Sequence, residues 1–148
     1  MKVEFGEPDH GWMTIEVTVE DSTVAIDASY VYPSVEQLAE ALVLLAKTAT
    51  ERIVVWLLEP GEIEMRFASG TTGRVSLELW EFRDHRRAAN SGEFRLGTTG
   101  DFTTVCVPFV LALRDLQVRY GPTDWESRWT RPFPVEDVTR LSEIIRDR

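Results

Sequence analysis

From Trp12 the chain alternates strictly, with Met13, Ile15, Val17 and Val19 on one side and Thr14, Glu16 and Thr18 on the other. A period of two marks a half-buried strand. Glu20-Asp21-Ser22 supplies a tight turn, and Val24, Ile26, Ala28 and Tyr30 then point inward, so this stretch predicts an antiparallel hairpin. The period lengthens next. Leu38, Leu42, Leu45 and Ala49 recur at helical spacing, while Glu36, Glu40 and Lys47 face water. Ser34 with Gln37 offers a capping box at the start of that helix.

A central hairpin follows, folded about Glu59-Pro60-Gly61-Glu62. Proline pre-sets φ for the second position of a type II turn, and Gly61 suits the positive φ of the third. The first arm is apolar on both faces, with Ile53, Val55 and Leu57 expected toward the helices and Trp56 and Leu58 away from them. The second arm alternates Ile63, Met65 and Phe67 against Glu62, Glu64 and Arg66. After a turn at residues 68–73, Val75, Leu77 and Leu79 share one face of a strand and Trp80 and Phe82 take the other. That change predicts a β-bulge near Leu79. Phe94-Arg95-Leu96 reads as a short last strand.

Residues 1–11 read as an irregular lead-in. After Gly97-Thr98-Thr99-Gly100-Asp101 a second helix is predicted, ending at Tyr120-Gly121-Pro122. Pro108 either kinks that helix or moves its start past Asp101. Thr123 and Glu126 offer a capping box for a short turn bearing Trp125 and Trp129, and a last helix runs from about Pro134 to Arg146. The order ββαββ(β)αα predicts an α+β fold: one antiparallel sheet of five or six strands, helices mainly on one face, a single domain over residues 1–148.

Composition narrows the functional classes. One cysteine, Cys106, excludes an intramolecular disulfide and suits a reducing compartment. The N-terminal stretch has no apolar run of the signal-peptide kind, and the longest apolar run, Val105 to Leu113, includes Pro108 and is too short to span a bilayer. A cytoplasmic protein is expected. The net charge is −9, unevenly placed: residues 1–64 hold 13 acidic side chains against 3 basic, residues 65–148 hold 12 against 13. Such a surface disfavours nucleic acid and anionic membranes and favours a basic partner.

Catalytic chemistry finds little support. His10 and His85 have no second ligand at metal-binding spacing, so no metal and no cofactor is expected. Cys106 on an apolar stripe reads as a core thiol. The two Gly-Thr-Thr-Gly copies, Gly70–Gly73 and Gly97–Gly100, lack the Gly-Lys-Ser/Thr of a phosphate loop and read as turns. Arg83, His85, Arg86 and Arg87 form a basic cluster that reads as a solvated loop. The candidate site is the sheet face turned from the helices, where Trp56, Trp80 and Phe82 would sit among Glu16, Glu64 and Arg66. Large aromatics and arginine ringed by charge make protein-binding hot spots. The alternative is that the last helix or residues 122–133 cover these aromatics.

Two stretches, Val55-Trp56-Leu57-Leu58-Glu59-Pro60-Gly61-Glu62-Ile63-Glu64-Met65-Arg66 and Ala112 to Gly121, resemble a group of small bacterial α+β proteins of undetermined activity. The whole is also similar to immunity proteins that neutralise bacterial toxins, being small, acidic and free of catalytic motifs. That resemblance implies a non-catalytic protein bound to a basic toxin. Two other classes stand beside it: a small-ligand-binding protein or enzyme with Glu59, Arg66 and Arg128 around a sheet–helix pocket, and a homodimer built on the same sheet face.

Overall fold

The computed structural model describes residues 1–84 and 91–148. The fold is α+β, but its strands form two antiparallel sheets rather than one. The first sheet holds β1 (Lys2–Phe5), β2 (Trp12–Val19) and β3 (Ser22–Ser29) in that order. The second holds β4 (Thr50–Leu57), β5 (Glu62–Ser69), β6 (Arg74–Phe82) and β7 (Glu93–Asp101), also in chain order. Helix α1 (Ser34–Lys47) connects the sheets, and α2 (Phe102–Val105), α3 (Val107–Arg119), α4 (Pro122–Trp129) and α5 (Val135–Arg146) follow β7. Inward residues of both sheets and apolar stripes of the helices meet in one core, including Ile15, Ile26, Leu38, Trp56, Met65, Leu77, Phe109, Trp129 and Leu141.

The 12–30 hairpin forms as the alternation predicts, with Val19 opposite Ser22 across the turn. Tyr30, expected inward, lies beyond the strand and is 37% exposed. The lead-in also contains an element: Val3 and Phe5 point into the core from β1. Four residues give too short a period to announce a strand.

The capping box at Ser34 is not formed. Pro33 is the N-cap, and Ser34 is buried with its hydroxyl donating to the Val55 carbonyl, which ties the helix start to β4. Nor does Thr123 cap α4, whose N-cap is Gly121. Asp101 does cap α2, its carboxylate accepting from the Thr104 amide at 2.7 Å. This bond holds the Asp101 carboxyl below its usual range. The 101–120 stretch breaks at Cys106, because Pro108 cannot donate back into the preceding turn and suits the start of a new helix instead. The first Gly-Thr-Thr-Gly is a turn with Gly73 at φ +76°, whereas the second is extended and belongs to β7.

The central hairpin pairs Leu57 with Glu62, but its turn differs from expectation. The Glu59–Pro60 peptide is cis, and Glu59 rather than Gly61 has a positive φ, 49°. Gly61 is required for a separate reason: a Cβ there would lie 2.7 Å from the Phe82 carbonyl oxygen. The facing of β4 is also the reverse of the expected one. Register places Trp56 opposite Ile63 and Val54 opposite Met65, so both share the core face, while Ile53, Val55 and Leu57 oppose Arg66, Glu64 and Glu62. Trp56 is fully buried, with Phe5 beside it at 6.4 Å between ring centroids. The bulge near Leu79 is present. Leu79 pairs with Leu96 but Trp80 with Phe94, leaving Arg95 as the extra residue on β7.

Candidate functional site

The outer face of the four-stranded sheet assembles four of the six residues singled out in the sequence. β5 carries Glu62, Glu64 and Arg66 on this face, and β6 carries Glu78, Trp80 and Phe82 directly beside them. Glu62 and Glu64, expected to be solvated, are buried, so of the β5 trio only Arg66 reaches the surface. Cross-strand partners share a face, so Ile53, Val55 and Leu57 join from β4 and Phe94 from β7. Arg66 is the hub. Its Nε donates to Glu64 Oε2 at 2.8 Å, and its guanidinium lies 4.8 Å from the Trp80 ring centroid and 5.9 Å from that of Phe82. Stacking of this kind suits the planar, weakly hydrated guanidinium.

Trp80 is held from three sides. Its indole N–H donates to Glu78 Oε2 at 2.7 Å, Arg66 covers one face, and Phe94 meets it edge-on at 5.6 Å and 73°. Few rotamers satisfy all three contacts, so the ring is presented at low entropic cost. Trp80 remains half-buried, Ile53 is 56% exposed and Phe94 52% exposed. Phe82, by contrast, is sealed: a Cβ on Gly92 would lie 2.6 Å from its ring, so the approach to β7 runs across it. Beside Arg66 a groove of about 430 Å³ is lined by Glu51, Ile53, Ala68, Ser76 and Glu78 among others.

The other two residues lie elsewhere. Trp56 is on the core side of the same sheet and cannot present a surface. Glu16 projects from the solvent face of β2, in the other sheet, opposite Ala25 and Glu4. Ile53 and Phe94 belong to the face but were missed in the sequence. The pairing of odd with even positions across the Pro60-Gly61 turn could have placed Ile53. Phe94 depends on the register after the bulge, which no sequence signal fixes.

The remaining chemistry-bearing residues are dispersed. Arg66 and Arg128 share no partner among the described residues: Arg128 pairs with Asp124 and Glu7 at 2.9 and 2.7 Å and stacks on Tyr120, while Glu59 lies in the turn between β4 and β5. His10 is exposed, its Nδ1 2.7 Å from an Asp9 carboxylate oxygen. Cys106 is fully buried, and that burial pushes its thiol up to about 12. Burial also raises the Glu36 carboxyl, against the opposing pull of a backbone hydrogen bond and of Arg131. Among the described residues no group of three or more His, Cys, Asp and Glu is placed to hold a metal, and no helix is long and apolar enough to cross a membrane. Of the basic cluster, His85, Arg86 and Arg87 lie outside the described residues. No family model, curated protein or solved structure matches the chain.

Proposed function

We propose that the chain is a non-catalytic binding protein of the immunity type, meeting a basic protein partner through the outer face of the four-stranded sheet. The observation that carries this reading is the Trp80 cluster. A large aromatic ring is fixed by Arg66, Glu78 and Phe94, with exposed Ile53 and Phe94 on either side. Rigid aromatic anchors bordered by charge supply binding energy without a large ordering cost. Carboxylates at Glu51 and Glu78 and the net charge of −9 favour a cationic partner and speed its approach. The lone, buried Cys106 and the acidic composition suit work in the cytoplasm.

Calorimetry against the products of adjoining genes tests the reading. The expected partner is basic, and Trp80→Ala should weaken it by roughly 2 kcal/mol, about 30-fold. Ile53→Asp should act in the same direction. If none of these products binds, or both variants bind as the parent does, the reading is wrong. Sedimentation that shows a dimer dispersed by Trp80→Ala would replace it with self-association on the same face.

A further inference from the structure

The first sheet carries an independent site. β1 is its terminal strand, and the pairing with β2 fixes where its backbone groups point. The Gly6 amide donates to the Thr14 carbonyl at 2.7 Å, and Val3 and Phe5 stand opposite Val17 and Ile15. In an antiparallel pair the hydrogen-bonding residues alternate, so Lys2, Glu4 and Gly6 bond to β2 while Val3 and Phe5 direct N–H and C=O to the other edge. Arg119 confirms that direction: its Nη2 donates to the Phe5 carbonyl at 2.8 Å from α3. Between this edge and α3 runs a groove of about 640 Å³. Its far wall is the helical stripe Pro108, Leu111, Ala112, Asp115 and Arg119, where Leu111 is 52% exposed.

Charge selects the occupant. Glu4 stands directly opposite Glu16 on the solvent face. Like charges facing across a sheet are destabilising, and the exposed Lys2–Glu4 pair at 3.0 Å offsets this only weakly. A strand added to this edge would take the place of Arg119 at the Phe5 carbonyl and set one side chain beside Glu4 on that face, in a non-hydrogen-bonded pair where side chains lie closest. Lysine or arginine there would neutralise the Glu4/Glu16 pair. Its two neighbours would point to the inner side, toward Leu111 and Ala112, and so would be apolar. We infer that β1 and α3 form a strand-addition site for an extended apolar–basic–apolar segment of a partner protein. A second copy of β1 fits poorly, because antiparallel pairing centred on the strand would bring Glu4 against Glu4. The site is on a different sheet from Trp80 and stands or falls separately.

The test titrates the full chain with the capped peptide Ser-Val-Lys-Val-Ser and follows the Val3 and Phe5 amides by NMR. Both amides should shift and exchange more slowly as main-chain hydrogen bonds form. Exchanging the peptide's lysine for glutamate should weaken binding about fivefold or more, and Glu4→Lys should reverse that order. Methylating both valine nitrogens should abolish binding. Leu111→Asp, at an exposed position, should also abolish it while leaving the melting temperature unchanged. No binding of the lysine peptide, equal binding of the lysine and glutamate peptides, or shifts confined to other strands would overturn the inference. Self-association through β1 in sedimentation would do so as well.

Discussion

Trp56 and Trp80 lie on opposite faces of one sheet, the first fully buried beside Phe5 and the second half-buried under Arg66. Truncating them should therefore have different consequences. Trp56→Ala should cost about 3–5 kcal/mol through loss of burial and the cavity left behind. Trp80→Ala gives up an edge-on contact and a cation–π contact and should cost about 1–2 kcal/mol. The Trp56 indole N–H has no hydrogen-bond partner among the described residues, so Trp56→Phe should fall well below the alanine cost. Chemical denaturation of the three variants checks the ordering.

The inward facing of Trp56 is encoded in the second arm of its hairpin rather than in the first. β5 alternates unambiguously, with Ile63, Met65 and Phe67 inward. A loop with an even number of residues about Pro60-Gly61 sets even-numbered positions of the first arm opposite odd-numbered positions of the second, which keeps Trp56 level with Ile63 or Met65. The first arm alone, apolar at Ile53, Val54, Val55, Trp56, Leu57 and Leu58, carries no such information. The facing of Trp80 and Phe82 was legible, since β6 separates them cleanly from Val75, Leu77 and Leu79. The division into two sheets was not. Strand periodicity reports which side is buried and says nothing of which strands share a ladder.

Gly61→Val should destabilise the fold by roughly 1–3 kcal/mol, since its Cβ would meet the Phe82 carbonyl oxygen at 2.7 Å and the backbone must shift. Gly61→Ala should also destabilise, which a purely β-branched effect would not produce. Gly70→Ala serves as the control: only Thr72 Oγ1, at 3.9 Å, lies within 4 Å of a Cβ there. Thermal melts of the three variants distinguish close approach from turn conformation.

The Cys106 thiol is buried and pushed up to about 12, so almost no thiolate is present near neutral pH. Labelling by a thiol reagent should be negligible in the native protein. It should appear in step with global unfolding across a denaturant series. Rapid labelling without denaturant would mean that the break between α2 and α3 opens locally.

Glu36 gives a pH dependence with a definite sign. Burial raises its carboxyl above the ordinary 4.5, so the folded state holds this proton more tightly than the unfolded chain does. The stability it contributes is fully present below the ordinary value and is lost as pH rises through the raised one. Above that window the loss is constant. Glu36→Gln should remove this step and stabilise the protein at neutral pH, as urea titrations at a series of pH values would show.

The most direct measurement is hydroxyl-radical footprinting of side chains with and without a saturating basic partner. Trp80 and Phe94 should be labelled in the free protein and protected in the complex, and Ile53 should follow them. Trp56 should remain unlabelled in both states, because it faces the core. Unchanged labelling of Trp80 and Phe94 at full occupancy would contradict assignment of the outer sheet face as the binding surface.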